Sequence, residues 1–298
     1  MREAEKLLAD GNLRASLERL NALKAQRVPT AGVDLLRAKY FLSQKQKLAA
    51  IEALKEELRF FPDNAEAASM LGELSPARKK TEVPGDAEFR DLYTRARPYT
   101  MVGAARLWSL FSRAKEICER DLPGNFVECG VAAGGSSALL ATAIARYSKR
   151  SRRLFACDTF EGMPEASEFD THRGQTAGQV GWGAGTCAAP VESLRQICRQ
   201  LSVEHLVEPL PGLFGDTLPA NRSRLGEIAV LHMDGDWYSS TRDVLENLYE
   251  QVVPGGFIQI DDYGHWEGCR RAVTEFETKL GAPFQLQPID ESGVWMTK

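Results

Sequence analysis

From Asn125 onward the chain alternates short apolar runs with helical patterns, and most of these runs close on a carboxylate. The runs read FVECGV (126–131), RLFACDTF (153–160), LVEPLPG (206–212), IAVLHMDGDW (228–237) and GGFIQIDDYG (255–264). FQLQPID (284–290) and GVWMT (293–297) follow as two last strands. Helical stretches are expected after Ser136–Ser137 as far as Tyr147, over 191–201, over 240–251, and through Arg270 and Phe276. Residues 161–190, rich in Gly, Thr and Ala, read as a long loop. Strands that are apolar throughout are buried on both faces. With helices between them, they predict a mostly parallel sheet covered on each side. Ligands of such sheets bind beyond the carboxyl ends of the strands, so the polar residues that close each run are the ones to read.

Those residues are Glu128, Asp158, Asp234, Asp236, Asp261 and Asp262. Carboxylates gathered at one edge repel each other unless cations or donors offset them, which points to a ligand. The first run continues as ECGVAAGGSS, where Gly130 permits close backbone approach and Gly134–Gly135 open the next helix. It lacks the G-x-G-x-x-G spacing of dinucleotide sites. Asp158, closing the second run, can bind the hydroxyls of a ribose. Together they suit a nucleoside cofactor without a pyrophosphate, and S-adenosylmethionine fits, its cationic groups favouring an acidic rim.

The sharpest signal is DGD (234–236) paired with DDY (261–263). If those strands are neighbours, Asp234, Asp261 and Asp262 can converge on a hard divalent cation such as Mg²⁺, with water or substrate oxygens completing the shell. Adjacent residues of a strand face opposite ways, so Asp261 and Asp262 can share one ion only if the strand breaks there. Gly264 is consistent with a break.

Several of these segments have a familiar order. YTMVG (99–103), VECGVAAGGSS (127–137), CDTFEGMP (157–164), GLFGDTLP (212–219), LHMDGDWYSST (231–241), PGGFIQIDDYG (254–264) and IDESGVW (289–295) resemble the macrocin O-methyltransferase (TylF/MycF-type) family over about residues 99–298. The resemblance implies a class I, Rossmann-like methyltransferase sheet of seven strands, the last antiparallel, with helices on both faces. It implies Asp234, Asp261 and Asp262 as metal ligands and Asp236 as general base, with His265 a second candidate. Met101, Glu128, Gly130, Val131, Asp158, Thr159, Phe160, Asp216 and Asp234 fall in its cofactor-contacting segments. It also implies a homodimer or larger oligomer and a hydroxyl of a sugar or glycosylated metabolite as acceptor. The chain departs from many members at Ala132–Ala133, at Thr159 and in the loop 170–190, which lies where the family's substrate lid would be.

The first 76 residues carry only helical patterns, and they repeat. Ala4 matches Ala38, Leu7 Phe41, Leu8 Leu42, Ala15 Ala49 and Leu20 Leu54, each pair 34 apart; Pro29 and Pro62 close the units. That is the period of a tetratricopeptide repeat. Fewer than three full units rarely stand alone, so docking or oligomerisation is the expected role. Residues 76–86 (PARKKTEVPGD) read as a linker, and Phe89 to Leu122 as helical. The expected organisation is a TPR-like all-α region over 1–76, a linker and helical lead-in over 77–124, and a methyltransferase domain over 125–298.

With 43 % hydrophobic and 26 % charged residues, the chain can bury a full core without staples. A net charge of −4 argues against nucleic acid, and Lys79–Lys80 or Lys149–Arg150 reads as a solvated face. No apolar segment follows the charged start MREAEKLLADG, and the longest apolar run (138–145) falls far short of a membrane span. A cytoplasmic location is expected. Six scattered cysteines without a CxxC pair then read as small buried hydrophobes, not zinc ligands or disulfides. Three competing readings remain: a catechol- or phenol-type O-methyltransferase, a NAD-dependent sugar oxidoreductase lacking its glycine fingerprint, and a non-catalytic repeat-linked scaffold.

Overall fold

The computed structural model describes residues 2–24, 29–74 and 82–298. Most of the expected linker 76–86 (its residues 76–81, with Lys79 and Lys80) lies outside them. Packing divides the chain into two units. One comprises the residues up to Glu82 with 161–166 and 172–188; the other comprises 83–160, 167–171 and 189–298.

In the first unit, helices α1 (Arg2–Ala9), α2 (Leu13–Lys24), α3 (Val33–Ser43), α4 (Lys47–Phe60) and α5 (Ala65–Leu74) each pack on the next. Ala4 and Ala38, like Leu20 and Leu54, are fully buried. The 34-residue spacing is therefore also a spacing of burial. The loop segments are held here by polar contacts: Arg37 donates to the Gly181 carbonyl (3.2 Å), Arg59 to that of Cys187 (3.3 Å), and Glu56 accepts from Cys187 N (3.1 Å). Between 161 and 190, where only loop was expected, two short strands (Thr171–His172 and Gln175–Thr176) form a hairpin.

In the second unit, α6 (Ala87–Ala96) and α7 (Ala104–Glu119) precede the sheet. They were expected as one helical stretch from Phe89 to Leu122. The chain breaks because Pro98 forms a tight turn over 97–99 and Thr100 is extended. The sheet contains β1 (Asn125–Cys129), β2 (Leu154–Asp158), β3 (Val207–Pro211), β4 (Ile228–Met233), β5 (Val252–Ile260), β6 (Gln287–Pro288) and β7 (Val294–Thr297). Their spatial order is β3-β2-β1-β4-β5-β7-β6, parallel through β5 and antiparallel for the last two. This is the mostly parallel seven-stranded sheet the sequence predicts. Helices α8 (Gly135–Tyr147), α9 (Val191–Gln200), α10 (Phe214–Leu225), α11 (Tyr238–Leu248) and α12 (Glu267–Leu280) make the crossovers.

Strand alternation explains the covering. Phe126, Leu154, Val230 and Phe257 join one core with residues of α6 to α9. The alternate residues Val127, Phe155, Leu231 and Ile258 are buried too, and α10, α11 and α12 lie side by side. Helix α10 is not among the helices expected from the sequence. Pro219 sits inside it and forgoes only the bond to the Gly215 carbonyl. Among the described residues no helix is long and apolar enough to cross a membrane.

Candidate active site

Two turns meet at the carboxyl ends of the central strands. The first follows β1. Gly130 has φ +97°, and a Cβ there would lie 1.8 Å from the Asp234 carbonyl. This glycine therefore lets the β1 turn approach the backbone after β4. Gly134 (φ +94°) caps α8 and packs against Leu194. Across the turn, the Asp158 carboxylate accepts from Val131 N (2.7 Å), Ala132 N (3.0 Å) and Phe160 N (2.7 Å), with Thr159 Oγ1 at 3.4 Å. Gly130, Val131, Asp158, Thr159 and Phe160 thus form one cluster. Met101 and Asp216 stand exposed, Asp216 in the first turn of α10. Glu128 lies beneath the turn, fully buried, and is bonded by His232 Nδ1 (2.8 Å) and Ser137.

The second turn holds the aspartates. Strand β4 ends at Met233, short of the predicted run to 237, and β5 ends at Ile260. Asp236 has φ +58° and its N–H donates to Asp262 Oδ2 (3.1 Å). Trp266 Nε1 donates to Asp236 Oδ1 (2.9 Å). Convergence therefore comes from the turn, not from strand periodicity. Ligand atoms of Asp234, Asp236 and Asp262 lie within 4.8 Å of one another, as do those of His232, Asp234 and Asp261. Asp234 is common to both groups; His265 is in neither. The His265 ring stands edge-on to Trp266 at 4.9 Å.

Asp261 is the most heavily bonded of the four. Its Oδ1 accepts from His232 Nε2 (3.1 Å) and Gln259 Nε2 (2.8 Å), and its Oδ2 from Arg106 (2.9 Å). A carboxylate offers about four lone-pair sites, so one remains. Charge separates these groups. Burial and then the neighbouring carboxylates push Asp234 and Asp236 well above the ordinary range, and Asp262 up to about 6. Burial acts the same way on Asp261, but Arg106 and His232 outweigh it and hold it at about 2. For His232 burial favours the neutral ring, yet Asp261 and Glu128 raise it well above the usual imidazole range. Carboxylates that raise one another, Asp262 buried and Asp234 and Asp236 half-buried, make an all-oxygen set that fits a hard divalent cation.

His232, Gln259, Arg106 and Trp266 are not among the residues the sequence motifs single out. A signal for two of them exists. Glu128, His232 and Gln259 are in register on β1, β4 and β5, each a polar residue within a buried apolar run. Arg106 arrives from α7 and carries no local pattern.

The profile of the macrocin O-methyltransferase (TylF) family matches residues 40–298. The chain is 37 % identical over 198 residues to 8-demethyl-8-(2,3-dimethoxy-alpha-L-rhamnosyl)-tetracenomycin-C 4′-O-methyltransferase of Streptomyces olivaceus, covering 66 % of this chain and 74 % of that protein. It is 34 % identical over 201 residues to demethyldecarbamoylnovobiocin O-methyltransferase of Streptomyces niveus (67 % and 76 %). It is 33 % identical over 205 residues to mycinamicin III 3″-O-methyltransferase of Micromonospora griseorubida (66 % and 77 %). Among solved structures, the O-methyltransferase NovP superposes with a TM-score of 0.61 at 28 % identity, covering 85 % of this chain and 99 % of that one.

Proposed function

The chain belongs to the macrocin O-methyltransferase family and is an O-methyltransferase, and on that premise we propose that it methylates a hydroxyl of a sugar-containing small molecule with a divalent cation in the site. The observation that carries this reading is the meeting of the Gly130 turn with the Asp234 backbone: a glycine turn of the kind that suits a cofactor lies beside a cluster of buried and half-buried aspartates. The relatives' names support the sugar: one acts at 4′ of a rhamnosyl-tetracenomycin, another at 3″ of mycinamicin III.

The residues divide by task. Asp234, Asp261 and Asp262 would hold the cation: Asp234 converges with Asp262 in one group and with Asp261 in the other, and Asp261 retains one lone pair for it. When bound, the cation supplies Lewis acidity that lowers the pKa of an acceptor hydroxyl, and S-adenosylmethionine supplies the electrophilic methyl group. Asp236 takes the hydroxyl proton at its carboxylate, aimed by the Trp266 indole N–H. Gly130, Val131 and Phe160 shape the cofactor cradle around Asp158, with Met101 and Asp216 at its exposed rim. Holding nucleophile and methyl donor in line supplies much of the rate. The N-terminal helices, read as a repeat-built docking or assembly module, take no part in these steps.

Titration calorimetry tests the cofactor half. S-adenosylhomocysteine should bind to the full chain and, with similar affinity, to a chain starting at Glu82. Binding of NAD in its place would overturn the cofactor assignment. Failure of the shorter chain alone would overturn the separation of the N-terminal helices from the chemistry.

A further inference from the structure

The IDESG segment (289–293) between β6 and β7 takes no part in the chemistry above, yet it is bonded closely to the aspartate turn after β5. Arg106 lies between them. Its Nε donates to Asp290 Oδ2 (3.1 Å), while another guanidinium nitrogen donates to Asp261 Oδ2 (2.9 Å) and to the Asp261 carbonyl (3.2 Å). Ser292 Oγ donates to the same carbonyl (2.6 Å), and Gly264 N donates to the Ser292 carbonyl (2.7 Å). The second oxygen of Asp290 accepts from Ser292 N (2.9 Å) and Gly293 N (2.8 Å), which fixes the segment's own shape. Packing is tight on both sides. A Cβ on Gly264 would lie 2.1 Å from the Glu291 carbonyl, and one on Gly293 would lie 2.5 Å from the Arg106 stem.

These bonds answer a geometric need. Consecutive residues of an extended strand point to opposite faces, so Asp261 and Asp262 can serve one ion only where the backbone leaves the strand. Asp261 keeps the ladder bond from its N–H to the Met233 carbonyl (2.9 Å), but its own carbonyl is taken by Arg106 and Ser292. The capture falls where the chain leaves the strand, just past its end at Ile260.

We propose that Arg106, Asp290 and Ser292 are positioning residues, a clamp formed by α7 and the C-terminal hairpin that fixes the Asp261–Asp262 turn and thereby sets the cation affinity of the site. The inference rests on the cation reading given above. Arg106→Lys keeps the charge, but an ammonium cannot hold Asp290, the Asp261 carboxylate and its carbonyl together in a planar fork. Groups that orient metal ligands are typically worth about 10–100-fold in metal affinity. Mg²⁺ titrated into the wild type and into Arg106→Lys should show a loss in that range, with S-adenosylhomocysteine affinity unchanged. Ser292→Ala removes one half-buried hydroxyl and should fall at the low end, about 10-fold; it decides the matter should Arg106→Lys not fold. No Mg²⁺ binding by the wild type would remove the cation reading itself. Wild-type binding matched by both variants would overturn the clamp alone, as would a lowered melting temperature with unchanged Mg²⁺ affinity.

Discussion

Asp236→Asn is expected to lower turnover by about 10²–10⁴-fold, the usual worth of a positioned base, while cation and cofactor affinities stay near those of the wild type. Asparagine suits the site sterically. It tolerates the left-handed backbone found at Asp236, and its amide oxygen can still accept the Trp266 indole N–H. The turn should therefore survive, and only the capacity to take a proton is lost. Added Mg²⁺ should not restore the rate, because Asp236 is assigned to the proton and not to the ion. Single-turnover methyl transfer at saturating acceptor separates this from a binding defect. Near-normal turnover in Asp236→Asn, with His265→Ala inactive, would move the base to His265.

Gly130→Ala should damage both halves of the site at once. The added methyl would sit 1.8 Å from the Asp234 carbonyl, on a backbone at φ +97°. A left-handed alanine costs about 1–2 kcal/mol, and overpacking against backbone that cannot rotate away adds about 1–3 kcal/mol. A fall in melting temperature of several degrees is expected from thermal unfolding. Calorimetry should show that S-adenosylhomocysteine and Mg²⁺ binding are weakened together. Loss of cofactor binding with intact Mg²⁺ binding would mean that the two turns are not mechanically joined at Gly130.

Where residues act through local pattern, the sequence was informative. The five long apolar runs hold the five parallel strands: β1, β2, β4 and β5 are buried on both faces, and only the edge strand β3 is half-buried. The carboxylates closing those runs gather at one edge because parallel strands all end there. Convergence was expected of Asp234, Asp261 and Asp262; in the structure Asp234 meets Asp236 and Asp262 in one group and His232 and Asp261 in another, a division that depends on a left-handed residue at 236 and a broken strand at 261. Helix α10 was hidden by Pro219, a breaker that one forgone bond accommodates. Arg106 and Asp290 are 184 residues apart and meet only through tertiary packing, so no spacing announces them. His232 and Gln259 could have been found by asking why buried strands carry a polar residue in register with Glu128.

Cation-assisted methyl transfer to a sugar hydroxyl can be followed with labelled S-adenosylmethionine. The full chain would be incubated with a panel of glycosylated natural products and simple catechols, with Mg²⁺ or with excess chelator. Label should enter a sugar hydroxyl in the presence of Mg²⁺, vanish with chelator and return when Mg²⁺ is restored. Full transfer in chelator would contradict the role given to Asp234, Asp261 and Asp262, and transfer to catechols alone would contradict the sugar acceptor.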